Sequence, residues 1–307
     1  MAKLIECVPN FSEGRDAGIV KQICDAVRSI EGIMFLGSEL DASHNRSVLT
    51  FAGTPSPVAE AAFAAARKAS ELIDMNRHKG EHPRIGATDV VPLIPLAGTS
   101  MEECVALSVE IAKRISDELG IPTYLYERSA RRPERKNLSD IRKGEYEGLK
   151  EAVLMDAGRK PDFGGPALHP TAGATVVGAR PLLVAYNIYL NTPDVSVAKR
   201  IAKKIRERDG GLPGVKALGF LIKEKDMAQV SINLTDLSKT GMSEVYARVA
   251  EEATLEGVTV AGSEVVGMVP ASEFIQIGVQ KLKLMEFDSN QVIESRLLDI
   301  MTEGGRK

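Results

Sequence analysis

Hydrophobic positions along the chain change rhythm several times, and the order of those rhythms occurs twice. Residues 3–8 hold a short apolar run that predicts a strand, followed by a polar turn over 9–15. Ile19, Ile23, Ala26, Val27 and Ile30 then recur at the spacing of one helix face. Apolar runs at 33–39 and 46–52 predict strands joined by the polar segment 40–45. Residues 55–74 predict an alanine-rich helix with no internal glycine, its Pro57 tolerated in the first turn. The run 89–96 predicts a buried strand, although Pro92 and Pro95 argue for a sheet edge or a bulge. Ser100 and Glu103 form a capping-box pattern that opens a helix, and Gly120 closes it before a strand at 121–127.

A second series follows a long polar interval. The segment 128–150 is basic but interleaved with acids, which predicts a solvated, partly helical face. Residues 158–173, GRKPDFGGPALHPTAG, are rich in glycine and proline and read as a loop suited to clasping a ligand. Strands are then predicted at 181–190, 215–222, 228–234 and 258–266, and helices at 195–207, 242–256 and 271–284, with a short helix beyond residue 290. Both series run strand, helix, strand, strand, helix, strand, helix. That is the split βαβ, or ferredoxin-like, order occurring twice, an α+β architecture with helices mainly on one face of each sheet. It divides the chain into subdomains at 1–178 and 179–307. A ligand crevice is expected between them, floored by strands and closed by the loops 76–86 and 162–174.

Composition narrows the classes of function. The 307 residues are 44% apolar and 26% charged with a formal charge of −3, as in a soluble globular protein with ample core. That balance gives no sign of a nucleic-acid surface, and 128–150 lacks an aromatic platform for single strands. No apolar run is long enough to span a bilayer, and the opening residues, interrupted by Glu6, are too short for a secretion signal. A cytoplasmic protein without nucleic-acid or membrane partners is expected. Cys7, Cys24 and Cys104 are far apart and lack metal-ligand spacing, so buried free thiols are expected.

Candidate chemistry concentrates at 76–95, NRHKGEHPRIGATDVVPLIP, which carries two of the four histidines. Gly80, Pro83 and Gly86 interrupt any helix and make this a shaped loop anchored by the strand after it. His82 suits general acid–base work because an imidazole titrates near neutrality, and Glu39, Asp41, Glu81 and Asp89 are candidate carboxylates to orient it. Arg77 and Arg84 offer paired donors that match a carboxylate. His78 and His82 stand four apart, but the broken helix and the absence of HExxH order count against a zinc pair, even with His44 or His169 added. No GxxxxGK[ST] loop, GxGxxG fingerprint or GxSxG elbow is present, which disfavours nucleotide-driven and serine-hydrolase chemistry.

Segments in order along nearly the whole chain carry a family likeness. They are ECVPNFSEG at 6–14, NRSVLTFAG at 45–53, LIDMNRHKGEHPRIGATDVVPLIP at 72–95, IRKGEYEGL at 141–149, PDFG at 161–164, GATVVGARPLLVAYNI at 173–188, AQVSINLTD at 228–236 and VAGSEVVGMVP at 260–270. In these the chain resembles the glutamate formiminotransferase (glutamate formimidoyltransferase) family, the transferase half of formimidoyltransferase-cyclodeaminase. The resemblance implies transfer of a formimidoyl group from N-formimidoyl-L-glutamate to N5 of tetrahydrofolate, a co-substrate, in histidine breakdown. It implies no metal, a homodimer, and folate lying between two α/β subdomains.

The same resemblance places the catalytic histidine on His82. Its folate loop falls on Gly164, Gly165, Pro166, Ala167, Leu168, His169, Pro170, Thr171, Ala172 and Gly173. The acidic partner of the histidine falls on Glu39 by ungapped alignment or on Asp41 by local context. Ala172 stands where some relatives carry an aromatic, and His169 is unusual there. A chain of 307 residues leaves no room for the cyclodeaminase half, so a separate cyclodeaminase is the expected recipient of the product. Formyl transfer between glutamate and folate, including use of 5-formyltetrahydrofolate, is the alternative reaction. A metal-dependent amidohydrolase using His78, His82 and His169 is a further one. A tandem module binding RNA or a partner protein is the non-enzyme alternative, disfavoured by the apolar, largely non-aromatic strands at 215–234.

Overall fold

Pro9 breaks the first strand, and much of the topology follows from how the two pieces are shared. The computed structural model describes residues 3–285, 287–288 and 291–295. The chain divides into two units, one running to Arg180 and the other starting at Pro181. In the first, chain order is β1 (Ile5–Cys7), β2 (Asn10–Phe11), α1 (Ala17–Arg28), β3 (Ile33–Asp41), β4 (Arg46–Gly53), α2 (Pro55–Leu72), β5 (Thr88–Pro95), α3 (Met101–Leu119), β6 (Thr123–Glu127), α4 (Leu138–Ile141), α5 (Glu145–Met155) and β7 (Thr175–Ala179). β1 and β2 act as one interrupted strand, each pairing antiparallel with both β4 and β5. Part of the expected polar turn at 9–15 is therefore strand, because Asn10 and Phe11 find partners on both sides. β3 adds antiparallel to β4, while β7 and then β6 extend the other side in parallel with β5.

Helices cover one face of this sheet. Val20, Ile23 and Val27 of α1, Val58 and the alanines of α2, and Ile111 and Ile115 of α3 pack on Leu49, Phe51, Val91 and Leu93. The ends of α3 follow the sequence expectation: Ser100 and Glu103 cap it reciprocally, and Gly120 ends it in a left-handed conformation. On the opposite face, Val90, Tyr124, Tyr126 and Val176 are covered by Ile141 and Leu149. Covered on both faces, β5 reads as a continuous apolar run. It is thus an interior strand and not a sheet edge, while the bulge its prolines equally allowed has a counterpart in the register shift against β2 between Asn10 and Phe11. Pro92 is accommodated because it faces the break between β1 and β2, where the Val8 N–H reaches the Pro92 carbonyl at 3.3 Å.

The segment 128–150 also departs in part from expectation. Arg135 is only 3% exposed and is paired with Asp162, while Arg142 is paired with Asp89 under the same layer. The segment is partly helical as expected, and Arg131, Arg132, Lys136 and Lys143 are exposed; Arg135 and Arg142 are the basic residues that turn inward beneath it.

The second unit contains β8 (Val184–Leu190), α6 (Val195–Ile205), β9 (Val215–Ile222), β10 (Met227–Leu234), α7 (Met242–Leu255), β11 (Val260–Val266) and α8 (Ala271–Leu282). Its strands form an antiparallel sheet in the order β11-β8-β10-β9. Ile201, Ile205, Val245 and Val249 of the helices pack against Tyr186, Ile188, Val230 and Ile232. Both units are α+β. The short helix expected beyond residue 290 falls mostly outside the described residues. Among the described residues, no helix is long and apolar enough to cross a membrane.

The glycine- and proline-rich run 158–173 lies inside the first unit, and its end is sewn to the loop before β5. Thr171 and Ala172 accept backbone N–H groups from Met75 (2.8 Å) and Ala87 (2.9 Å), and the Ala174 N–H donates to Ile85 (3.0 Å). Gly86 is required at this crossing, since a Cβ there would lie 2.0 Å from the Ala174 carbonyl oxygen. Gly86→Ala is therefore expected to destabilise the protein by about 2–3 kcal/mol or more. The urea unfolding midpoint measures this.

Candidate active site

The loop between α2 and β5 begins in a turn fixed by Asp74, whose carbonyl accepts the N–H groups of Arg77 (3.0 Å) and His78 (3.1 Å). Asn45, at the start of β4, holds the loop from the other side. It sits in the left-handed region (φ 48°), where asparagine is among the tolerated residues. Its side chain accepts from Gly14 N–H and donates to the Lys79 carbonyl, both at 3.0 Å. Gly80 allows this close approach, since a Cβ there would fall 2.2 Å from the His44 carbonyl oxygen.

The two histidines and two arginines of the loop separate sharply. His78 is buried, its Nε2 donating to the Asn45 carbonyl at 2.9 Å and its Nδ1 accepting from Arg84 Nε at 3.2 Å. Both ring nitrogens are therefore occupied, and the tautomer is set. Arg84 is also buried and spends every donor it has. Nη1 reaches Glu145 (2.6 Å) and Glu147 (2.8 Å), and Nη2 reaches Glu147 (2.7 Å) and the His78 carbonyl (3.3 Å). Such an arginine clamps α5 to the loop and has no donor left for a substrate. Arg77 is the opposite case: its side chain is 89% exposed, with Asp74 at 3.6 Å as a loose neighbour.

His82 is half-buried, and its Nε2 accepts from Arg46 Nη1 at 2.8 Å. Neither expected carboxylate makes this contact. Asp41 instead holds His44, accepting from its backbone N–H at 2.9 Å and lying 2.6 Å from its Nδ1. Glu39 is exposed on β3. The His44 and His82 rings meet edge-on, with centroids 6.3 Å apart. Asp89, buried at the start of β5, accepts from Ile85 N–H at 2.8 Å and pairs with Arg142. Beside the loop lies a cleft of about 360 Å³ lined by Lys79, Gly80, Arg84, Gly144, Glu145 and Glu147.

The run 164–173 splits in two. Gly164, Gly165, Pro166 and Ala167 are exposed, whereas Ala172 and Gly173 are buried and Leu168, His169 and Thr171 are intermediate. Pro170 is exposed, its carbonyl accepting from Asn76 Nδ2 at 2.8 Å. His169 Nδ1 accepts the N–H groups of Thr171 (3.3 Å) and Ala172 (3.0 Å), closing the turn. The two loops are thus joined edge to edge near 85–87 and 172–174. They adjoin there through main-chain hydrogen bonds.

Comparison with known proteins follows the division into two units. Residues 4–180 match the formiminotransferase domain, N-terminal subdomain, and residues 185–299 match the formiminotransferase domain. The chain belongs to the formiminotransferase family. It is 47% identical to the glutamate formimidoyltransferase of Thermoplasma acidophilum, over 96% of this chain and 97% of that protein. Identity to the glutamate formimidoyltransferase of Streptococcus pyogenes serotype M1 is 45%, over 97% of this chain and all of that protein. The formimidoyltransferase-cyclodeaminase of Gallus gallus is 45% identical over 97% of this chain, which spans 57% of that longer protein.

In this formiminotransferase the charge around His82 is positive. Burial first, then the cations of Arg46 and Arg142, push the imidazole down to about 2. It is neutral, with Nε2 as the acceptor nitrogen. Burial and the facing Arg142 likewise lower Arg46. Burial also lowers His78 and His169. For Asp41 burial acts upward, but the hydrogen bonds from His44 outweigh it and hold the carboxyl below its usual range. Sequence reasoning missed Arg46 and the pairing of Arg142. The signals present were the Asn45–Arg46 pair beside the histidine-bearing turn and the 141–149 segment, which carries Arg142, Glu145 and Glu147.

These features set two expectations. A histidine depressed in the folded state leaves the unfolded chain the better proton binder, so stability is full above pH 6.5 and falls as pH drops below it. For His82 the limit is about 1.4 kcal/mol per pH unit, reduced by its partial exposure. Melting temperature between pH 7.5 and 5 should fall more gently in His82→Gln than in the native protein. Arg84→Ala, which strips the cation from between two carboxylates, should cost about 3 kcal/mol in urea unfolding. Arg77→Ala should stay within about 0.5 kcal/mol of wild type.

Proposed function

We propose that this formiminotransferase moves the formimidoyl group of N-formimidoyl-L-glutamate to N5 of tetrahydrofolate, releasing L-glutamate, with His82 as the general acid–base. The observation that carries the reading is the neutral His82 imidazole with its Nε2 lone pair directed at a cation, in the loop whose sequence is most characteristic of the family. The names of the relatives support the substrate class.

His82 Nε2 accepts the N5 proton as the new C–N bond forms at the amidine carbon. It returns that proton to the glutamate nitrogen as the old C–N bond breaks. The proton count closes, and no covalent enzyme intermediate is required. Holding two substrates in register supplies a large further part of the rate. The positive surroundings of Arg46 and Arg142 suit a donor that carries carboxylates. Arg77 is the accessible carboxylate anchor, whereas Arg84 is structural.

For folate, the exposed backbone at Gly164, Gly165, Pro166 and Ala167 is the accessible part of the loop, and buried Ala172 offers no stacking face. Glu39 and Asp41 act at most at a distance, Asp41 through His44. The same reading includes a ferredoxin-like arrangement in both units, a homodimer, and release of product to a separate cyclodeaminase. It is tested with His82→Ala in steady-state folate-dependent transfer. The expected loss in kcat is about 10²–10⁴-fold, with folate affinity kept within about threefold. A kcat near wild type would remove His82 from the chemistry.

A further inference from the structure

His82 presents a contradiction in the unliganded protein: the nitrogen that must take a proton is occupied by a guanidinium. Arg46 Nη1 donates to Nε2 at 2.8 Å, and the Arg46 Nε–H lies buried with no acceptor among the described residues. The same holds for the Nε–H of Arg142, whose Nη2 is paired with Asp89. Arg142 thus stands close enough to Arg46 to disfavour the charge of Arg46, and of the two half-buried guanidinium groups only Arg142 has a directly paired carboxylate among the described residues. Like charges held together out of water call for an anion between them. The arginine spends a charged donor on a neutral nitrogen, although a carboxylate would engage two of its donors at once.

We propose that Arg46 is a displaceable cap on His82: its guanidinium leaves Nε2 for a carboxylate of the incoming glutamate-type donor, with Arg142 completing the anion site, and so frees the base when substrate is present. This rests on the acid–base reading of His82. Arg46 is a positioning residue toward the imidazole and a binding residue toward the donor. The largest charges bearing on the ring fit this exchange, and Glu39 adds a weaker negative charge that acts on Arg46. The cations are Arg46 on β4 and Arg142 between α4 and α5, with His44 and His78 beside them. The nearby carboxylates Asp41 and Asp89 are engaged by His44 and Arg142. A substrate carboxylate neutralises the cationic side and raises the proton affinity of the ring at the moment it is needed.

The test is a histidine NMR titration, practicable because the chain has four histidines. In wild type the His82 ring should stay neutral at pH 5 without ligand, and saturating L-glutamate should move its midpoint up by at least about one pH unit. Arg46→Met should move the unliganded ring's midpoint up from its wild-type position, with burial and Arg142 still holding it below 6.5, and with no response to L-glutamate. Donor KM should rise about tenfold or more. Arg46→Lys keeps the charge and volume but not the fork, so it should retain the fold and show raised KM with a weakened response. An L-glutamate response absent from wild type, or unchanged in Arg46→Lys together with an unchanged KM, overturns the cap. His82→Ala with near-wild-type turnover would instead overturn the acid–base reading, because the cap is read from the ring spectrum and not from turnover.

Discussion

The first unit depends on a crossing of two loops at their backbones. Residues 75–87 and 169–174 exchange main-chain hydrogen bonds, and Asn45 ties the middle of the first loop to the start of β4. Loops held by side chains alone would drift. These are held by backbone groups that would otherwise be buried without partners. Because β5 leaves directly from this crossing into the sheet interior, the loop that carries His82 is anchored to a buried strand paired on both sides.

Within that frame, the direction of each side chain decides its role. Arg84 and His78 turn inward and saturate their hydrogen bonds, so they serve the architecture. Arg77 points into solvent. His82 lies between, half-buried, facing two arginines that come from far along the chain. A histidine beside a carboxylate would be held charged; one beside guanidinium groups is held neutral. The second arrangement provides a base, and a base whose strength rises as an anionic ligand arrives.

Local features were legible in the sequence. The capping box at Ser100 and Glu103, the alanine-rich α2 and the strand–helix order of the second unit depend on residues near one another and appear where expected, whereas β2 and β7 of the first unit were not foreseen. Non-local features were hidden. Arg142 meets Asp89 across 53 positions, Arg135 meets Asp162 across 27, and Arg46 meets His82 across 36. The basic composition of 128–150 consequently looked like a solvated face. Pro92 looked like an edge residue because the gap that accommodates it is made by Pro9, on another strand. The pairing of Asp41 with His44, three residues apart, is the exception: it is local, but it depends on the turn between β3 and β4 bringing the two side chains together. The family likeness located the histidine loop and the glycine-rich run, but not which of their members face solvent.

The central claim is that this chain passes an intact one-carbon group between two bound partners. It is tested most directly by giving wild-type protein N-formimidoyl-L-glutamate labelled with ¹³C at the formimidoyl carbon, with and without tetrahydrofolate. Label should appear on folate N5 in step with L-glutamate release, with no consumption of donor when folate is omitted. Folate-independent release of the labelled carbon to water would contradict it.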